Sequence, residues 1–180
     1  MSAITSADDV PEPASAGTTE PLGHPGEAAR RAEIDESCRP VVLFYASSGV
    51  LWLLVGSALA LLASIKLHTP GFLDGWDWLT FGRVRPAHLN TMIYGWASLT
   101  GIGIMLWLEA RLCRVTLPLG PLLFATGVIW NAGVLLGTID ILAGIGTSVE
   151  WLEFRPQWAL LFTLCFVPVI LASVWMLGTR

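Results

Sequence analysis

The sequence predicts an all-α integral membrane protein with four transmembrane helices. Of its 180 residues, 54% are hydrophobic and only 13% are charged, whereas soluble domains carry about 25% charged residues. Four runs lack Asp, Glu, Lys and Arg altogether: residues 41–65, 86–108, 115–139 and 156–179. Each run is longer than the roughly 20 apolar residues that cross a bilayer core. Because backbone groups in hydrocarbon must bond within their own segment, these runs are expected to be helices.

The chain divides into two regions of different composition. Residues 1–39 are rich in Ala, Ser, Thr, Glu, Pro and Gly and are predicted to form a disordered cytoplasmic tail, since they bury too little apolar surface to offset their ordering entropy. Residues 40–180 are predicted to form the transmembrane domain. Its helices are expected at about 41–66, 86–110, 116–143 and 156–178.

The distribution of basic residues predicts the orientation. Four helices place both termini on one side, and that side carries six of the ten Lys and Arg residues of the chain. The positive-inside rule therefore predicts cytoplasmic N- and C-termini. Tryptophans in the two outer loops, among them Trp76 and Trp151, are typical of an interfacial aromatic belt.

His88 is the only histidine within a predicted membrane span. It follows Pro86, which favours the first position of a helix because it lacks an N–H group. Ionisable residues in membranes are costly and therefore functional candidates, and histidine is a common ligand of haem iron. The alternative is an interfacial histidine that forms a hydrogen bond with a neighbouring loop. Its position alone does not separate these two interpretations.

Arg83 and Arg85 lie close to His88, on the side where the positive-inside rule depletes basic residues. A partner of negative charge is therefore expected there. Haem propionates are one candidate, because arginine binds carboxylates in a bidentate way. Acidic lipid, or Asp74 and Asp77 in the same loop, are the alternative.

These residues belong to a recognisable pattern. Gly82-Arg-Val-Arg-Pro-Ala-His88 resembles the start of the second helix in the catalytic subunit I of haem–copper oxidases, in particular the cbb3-type (C-type) cytochrome c oxidases. The segment from Gly146 to Glu153 is similar to the acidic, aromatic stretch before the family's fourth helix. The resemblance covers the chain from about Arg39 onwards.

The resemblance implies a place for each matched residue. His88 would be one axial ligand of a low-spin haem b, and Arg83 and Arg85 would neutralise the haem propionates. Glu150 would be a ligand of a calcium ion beside those propionates, a cation that prefers oxygen ligands; the alternative is a solvated loop carboxylate. Glu153 is expected to be solvated. Asp140 is expected to be an interfacial carboxylate with satisfied hydrogen bonds.

The resemblance also implies what must come from elsewhere. Subunit I of this family has about twelve helices, and its second haem b ligand, high-spin haem and copper site lie beyond the four helices expected here. We therefore expect the chain to be part of a proton-translocating oxidase of the bacterial inner membrane. The chain itself would contribute no catalytic residue. Its expected partners are the rest of the subunit, c-type haem subunits and the lipid bilayer, with no nucleic acid. A split gene, a truncation and a short paralogue all fit this expectation.

Two other functions stay open. A nitric oxide reductase large subunit shares the architecture and the early histidine ligand, and a non-catalytic four-helix membrane subunit would need no cofactor. The three cysteines show no CxxC or CxxCH spacing. They are expected to be packing residues.

Overall fold

The computed structural model of the protein describes residues 25–180, which contain helices and no β-strand. The elements, in chain order, are α1 (Pro25–His68), a 3₁₀ turn (Asp77–Leu79), α2 (Phe81–Asn90), a π-helical segment (Thr91–Ala97), α3 (Ser98–Cys113), α4 (Gly120–Leu142) and α5 (Pro156–Gly178). The α2 helix, the π-helical segment and α3 follow one another without a break and form one long helix.

Four of these helices are long and apolar enough to cross a membrane: Gly26–His68, Phe81–Cys113, Gly120–Leu142 and Pro156–Gly178. This confirms the predicted all-α class and the four predicted spans. Large apolar side chains are exposed along all of them, as expected where lipid is the surrounding solvent. The cytoplasmic placement of the termini stays a prediction.

The first helix is much longer than the sequence predicts. It contains 44 residues, which corresponds to about 66 Å at 1.5 Å per residue and is about twice the thickness of a bilayer core. The predicted disordered tail is therefore wrong for residues 25–39, which are helical. The remainder of the predicted tail, residues 1–24, lies outside the described residues.

A stripe of apolar residues explains why this extension of α1 is helical. Ile34, Cys38, Val41 and Tyr45 are all at most 2% exposed, and their spacing of four, three and four residues places them on one helix face. The Ser37 hydroxyl also accepts a hydrogen bond from the backbone N–H of Leu117 in the α3–α4 loop. Burial on one face thus extends α1 beyond the apolar run.

The second spanning helix begins earlier than predicted, at Phe81 rather than Pro86. Pro86 lies inside α2, so His88 occupies the third turn of this helix and not the first. The backbone N–H groups of Arg83 and Val84 donate to the carbonyl of Thr80 and close the first turn. The polar residues before Pro86 are therefore helical.

The π-helical segment fits closely against α1. A Cβ atom added to Gly95 would lie 2.6 Å from Cγ and 2.7 Å from Cβ of Trp52, a distance that no real side chain tolerates. The Trp52 indole N–H donates to Asn131 on α4 over 2.8 Å, and the Ser98 hydroxyl donates to the carbonyl of Ile93. Single π-helical turns often occur at functional sites, and this one directly follows α2.

Aromatic rings join α4, α5 and the π-helical segment. Tyr94 stacks on Phe162 with ring centroids 5.3 Å apart, and Trp130 lies 4.8 Å from the same ring. Phe154, in the loop before α5, packs against Tyr94 at 5.2 Å. Gly137 provides the space for Phe154, since an added Cβ would lie 2.6 Å from that ring. This cluster fixes the loop before α5 over the C-terminal part of α4.

Candidate functional site

His88 faces α1. The side chain is half-buried, and its Nδ1 atom lies 2.8 Å from the carbonyl oxygen of Gly56. A carbonyl oxygen can only accept a hydrogen bond, so Nδ1 carries the proton in this contact. The other nitrogen of the neutral ring, Nε2, is then unprotonated and has a lone pair available for a metal.

The close approach of α1 depends on Gly56. A Cβ atom at this position would lie 2.7 Å from Sδ of Met92 and 3.1 Å from Oγ1 of Thr91. The Thr91 hydroxyl is itself fixed, because it donates to the carbonyls of Ala87 and His88, each at 2.9 Å. A glycine therefore allows the α1 carbonyl to reach the His88 ring.

Arg83 lies against the C-terminus of α4. One of its terminal nitrogens, Nη1, donates to the carbonyl of Leu142 over 3.3 Å. The guanidinium group also lies beside Gly144, which has a left-handed backbone conformation with φ of 83°. A positive charge at this position is stabilised by the negative C-terminal end of the α4 helix dipole.

Arg85 forms an ion pair with Glu150 in the α4–α5 loop. Nη2 of Arg85 lies 2.9 Å from Oε1 of Glu150, and the two side chains are 47% and 58% exposed. Within residues 25–180, neither Asp74 nor Asp77 forms an ion pair with either of the two arginines. The structure thus brings together two residues for which the resemblance implies contact with a propionate and with a calcium ion.

Glu153 is buried, and the expectation that it is solvated is wrong. It is 7% exposed, and Nδ2 of the fully buried Asn90 lies 2.5 Å from its Oε2. The α4–α5 loop turns back on itself, with the Thr147 N–H donating to the Glu153 carbonyl, and this turn carries the carboxylate inwards. The sequence gives one signal for this contact, a polar Asn90 two residues after His88 within an apolar span.

Asp140 has the hydrogen-bond partners expected for it, while its position at the membrane interface stays a prediction. Its Oδ2 atom accepts a hydrogen bond of 2.7 Å from the indole N–H of Trp158. The guanidinium group of Arg155 lies 3.7 Å from the same oxygen. The three cysteines are buried and free, as expected of packing residues.

The described residues do not form a complete metal site by themselves. No group of three or more His, Cys, Asp or Glu side chains converges within residues 25–180. A single carboxylate such as Glu150 provides too few of the six to eight oxygen ligands that calcium takes. A haem iron needs only axial ligands from the protein, and His88 has the geometry to provide one of them.

The comparison with known protein families decides the relationship of this chain. Residues 40–180 match the family described as "Cytochrome C and Quinol oxidase polypeptide I". The chain belongs to this family. The match covers all four spanning helices from residue 40 onwards and confirms the resemblance to subunit I of the haem–copper oxidases.

Three curated relatives point in the same direction. The chain is 28% identical over 127 residues to the "Cbb3-type cytochrome c oxidase subunit CcoN1" of Stutzerimonas stutzeri, with 71% of this chain and 27% of that protein covered. It is 26% identical over 138 residues to the "Cytochrome c oxidase subunit 1 homolog, bacteroid" of Bradyrhizobium diazoefficiens, covering 74% and 25% of the two chains. The "Cytochrome c oxidase subunit 1 homolog" of Agrobacterium tumefaciens is 26% identical over 150 residues, covering 83% and 25%.

The match is partial on the side of the relatives. This subunit I chain spans about a quarter of the length of the curated relatives, with shares of 27%, 25% and 25%. No solved structure matches the chain. The family and the four spanning helices identify a multi-pass membrane protein of a family that binds haem.

Proposed function

We propose that this chain is the N-terminal part of the catalytic subunit of a cbb3-type cytochrome c oxidase, and that His88 is one axial ligand of its low-spin haem b. The observation that carries the proposal is the hydrogen bond of 2.8 Å between His88 Nδ1 and the Gly56 carbonyl. Histidines that ligate metals usually donate their second N–H to such a group, which fixes the tautomer and the ring orientation.

The chain's own residues hold and orient this imidazole. The Gly56 carbonyl accepts a hydrogen bond from the Nδ1–H group, and the Thr91 hydroxyl donates to the carbonyls of Ala87 and His88. A bound haem b would supply one-electron transfer to the oxygen-reducing centre. Arg83 and Arg85 lie within two turns of His88 on the same helix, and we propose that they neutralise the haem propionates.

The remaining components must come from other segments. The chain contains His24, His68 and His88 only, so a second axial histidine on a later helix is required. We propose that other segments provide the high-spin haem, the copper ion and the proton-translocating activity. The c-type haem subunits would donate the electrons. We further propose that the termini face the cytoplasm of a bacterial cell and that the four helices span its inner membrane.

Calcium binding at Glu150 is proposed only for the assembled subunit. In this chain the carboxylate pairs with Arg85, and further oxygen ligands are needed for a calcium ion. Calorimetric titration with Ca²⁺ should detect no binding to the isolated chain. It should detect binding to the assembled oxidase, with a loss in the variant Glu150→Gln.

The test of the haem assignment is a comparison of two histidine variants. The chain is co-expressed with the reading frames encoded directly downstream, and reduced-minus-oxidised spectra of the membranes are recorded. The variant His88→Ala should lose the low-spin haem b signal while the chain is still inserted. The matched control His68→Ala removes an exposed imidazole at the end of α1 and should retain the signal. Full retention in His88→Ala would refute the assignment.

The same experiment separates the other two functions. A non-catalytic four-helix subunit would give no haem b signal with any downstream partner. A nitric oxide reductase fragment would give the signal, and the assembled complex would reduce nitric oxide in preference to oxygen. The names of the three relatives, which are cytochrome c oxidase subunits, favour the oxidase.

A further inference from the structure

A pocket lined by four arginines lies at the end of the helix bundle where α1 begins and α3 ends. Its volume is about 570 Å³. The four side chains are Arg30 and Arg31 from α1 and Arg111 and Arg114 from the end of α3, and among residues 25–180 Glu27 is the only acidic residue that lines the pocket with them. None of these residues belongs to the proposed haem site.

The positive charge of the pocket is only partly compensated. Arg30 donates through Nε and Nη2 to the backbone carbonyl of Arg114, at 3.1 and 2.7 Å. This acceptor is neutral and does not compensate the positive charge of Arg30. Glu27 lies between Arg31 and Arg114, at 2.5 and 4.0 Å. Because Glu27 is shared by two guanidinium groups, positive charge is in excess among the described residues that line the pocket.

The fourth arginine has its own partner outside the pocket. Asp35 lies 2.9 Å from Nη1 of Arg111. Counting Asp35 together with Glu27, two carboxylates face four guanidinium groups, and two positive charges remain within this part of the described chain. An anion that enters the pocket therefore meets an uncompensated positive field.

Neighbouring side chains place the pocket at the level of the lipid head groups. Trp107 near the end of α3 donates its indole N–H to Asp35 over 3.0 Å, and tryptophan is enriched at membrane–water interfaces. The Arg111 guanidinium carbon lies 5.8 Å from the centre of the Trp107 ring. Leu108 and Leu112 on the same helix are 47% and 69% exposed, and such apolar side chains suit lipid acyl chains. Charged groups thus lie directly beside an apolar surface.

We infer that this arginine pocket binds the phosphate group of an anionic phospholipid. Arginine presents its N–H donors as a planar fork that matches phosphate oxygens, and basic pockets between transmembrane helices are known to bind anionic head groups. The exposed leucines beside the pocket favour a lipid over free phosphate, since only a lipid brings acyl chains to cover them. The bound lipid would join the extension of α1 to the α3–α4 loop.

The test compares lipids on the full chain purified in detergent. Native mass spectrometry measures the binding of dioleoyl phosphatidylglycerol, and dioleoyl phosphatidylcholine serves as the neutral comparison. An arginine in the pocket that contacts the bound phosphate should contribute about 1 kcal/mol, which corresponds to about five-fold in affinity. The variant Arg30→Gln/Arg31→Gln should therefore weaken phosphatidylglycerol binding by about 25-fold.

A matched double variant controls for net charge. Arg39→Gln/Arg180→Gln removes two exposed charges at the same end of the bundle and outside the pocket, and it should change binding less than two-fold. Because Arg30→Gln also removes the contact with the Arg114 carbonyl, the single variant Arg31→Gln is measured as well. Arg31 makes no contact with that loop carbonyl, and its loss should weaken binding about five-fold.

Three results would overturn the inference. These are equal binding of the two lipids, equal weakening by the pocket variant and its matched control, and displacement of phosphatidylglycerol by millimolar inorganic phosphate, which would identify a free anion as the occupant. The readout does not involve haem. A failure here therefore leaves the proposed function unaffected, and a failure of the haem assignment leaves this pocket unaffected.

Discussion

The buried pair of Asn90 and Glu153 should be an energetically important contact between the second spanning helix and the α4–α5 loop. Asn90 Nδ2 donates to Glu153 Oε2 at 2.5 Å and to the Pro86 carbonyl at 2.9 Å. The variant Asn90→Leu keeps the number and branching of the side-chain heavy atoms and removes both N–H donors. Glu153, only 7% exposed, would then lose the hydrogen bond that compensates its burial.

The expected cost follows from three contributions. A hydrogen bond to a charged group contributes about 1.5–3 kcal/mol, and a neutral one about 1 kcal/mol. Against these losses, Asn90→Leu removes a buried Oδ1 atom that has no hydrogen-bond partner among the described residues, which recovers about 1 kcal/mol. The net loss in unfolding free energy should be about 2 kcal/mol.

A double-mutant cycle measures the coupling itself. Unfolding of the detergent-solubilised chain is followed by far-ultraviolet circular dichroism during titration with sodium dodecyl sulfate. Glu153→Met removes the carboxylate, and in that background Asn90→Leu should cost at least 1 kcal/mol less than in the wild type. Additivity of the two changes within about 0.5 kcal/mol would refute the reasoning. A loss of unfolding free energy below about 0.5 kcal/mol for Asn90→Leu alone would refute it as well.

Three further changes test other contacts. Gly95→Ala should destabilise the chain by about 1–3 kcal/mol in the same titration, because the new Cβ meets the Trp52 ring. Gly101→Ala, where an added Cβ meets no atom within 4 Å, should instead be neutral or stabilise by up to about 1 kcal/mol; equal effects would contradict the packing argument. Asp35→Asn should speed proteolysis of the α1 extension, since its contacts with Trp107 and α3 weaken, and unchanged cleavage would argue against this anchoring. Arg85→Gln should change stability by less than about 1 kcal/mol as an exposed ion pair, yet should lower the haem b midpoint potential if it faces a propionate; an unchanged potential would exclude that contact.

The sequence determined the spanning helices well because one physical constraint dominates them. An uncharged run longer than a bilayer core must be helical, whatever its neighbours are. The fourth span was accordingly predicted at 156–178, and α5 is Pro156–Gly178. The first residues of α1 and α2 were predicted less well. Polar residues extend a helix only where tertiary contacts stabilise them.

The α1 extension illustrates why such contacts were missed. Its composition is that of a disordered segment, and only Ile34 and Cys38 carry the apolar face of the membrane helix onwards. This spacing was visible in the sequence. The partners were not, since Ser37 and Asp35 bind the distant Leu117 and Arg111. Whether a short polar stretch is helical therefore depends on contacts with residues that are distant in the sequence.

The orientation of His88 depends on contacts on two sides of α2. The sequence identified the histidine, but its hydrogen bond to Gly56 depends on how α2 is rotated about its axis. Three polar side chains of α2, Arg83, Arg85 and Asn90, all bind the C-terminus of α4 or the loop that follows it. Two of these residues precede His88 along the helix and one follows it. Their contacts with α4 and the α4–α5 loop therefore fix the rotation of α2 about its axis, and the His88 ring binds to α1. Within residues 25–180, contacts from both sides therefore fix the orientation of the imidazole that we propose as a haem ligand.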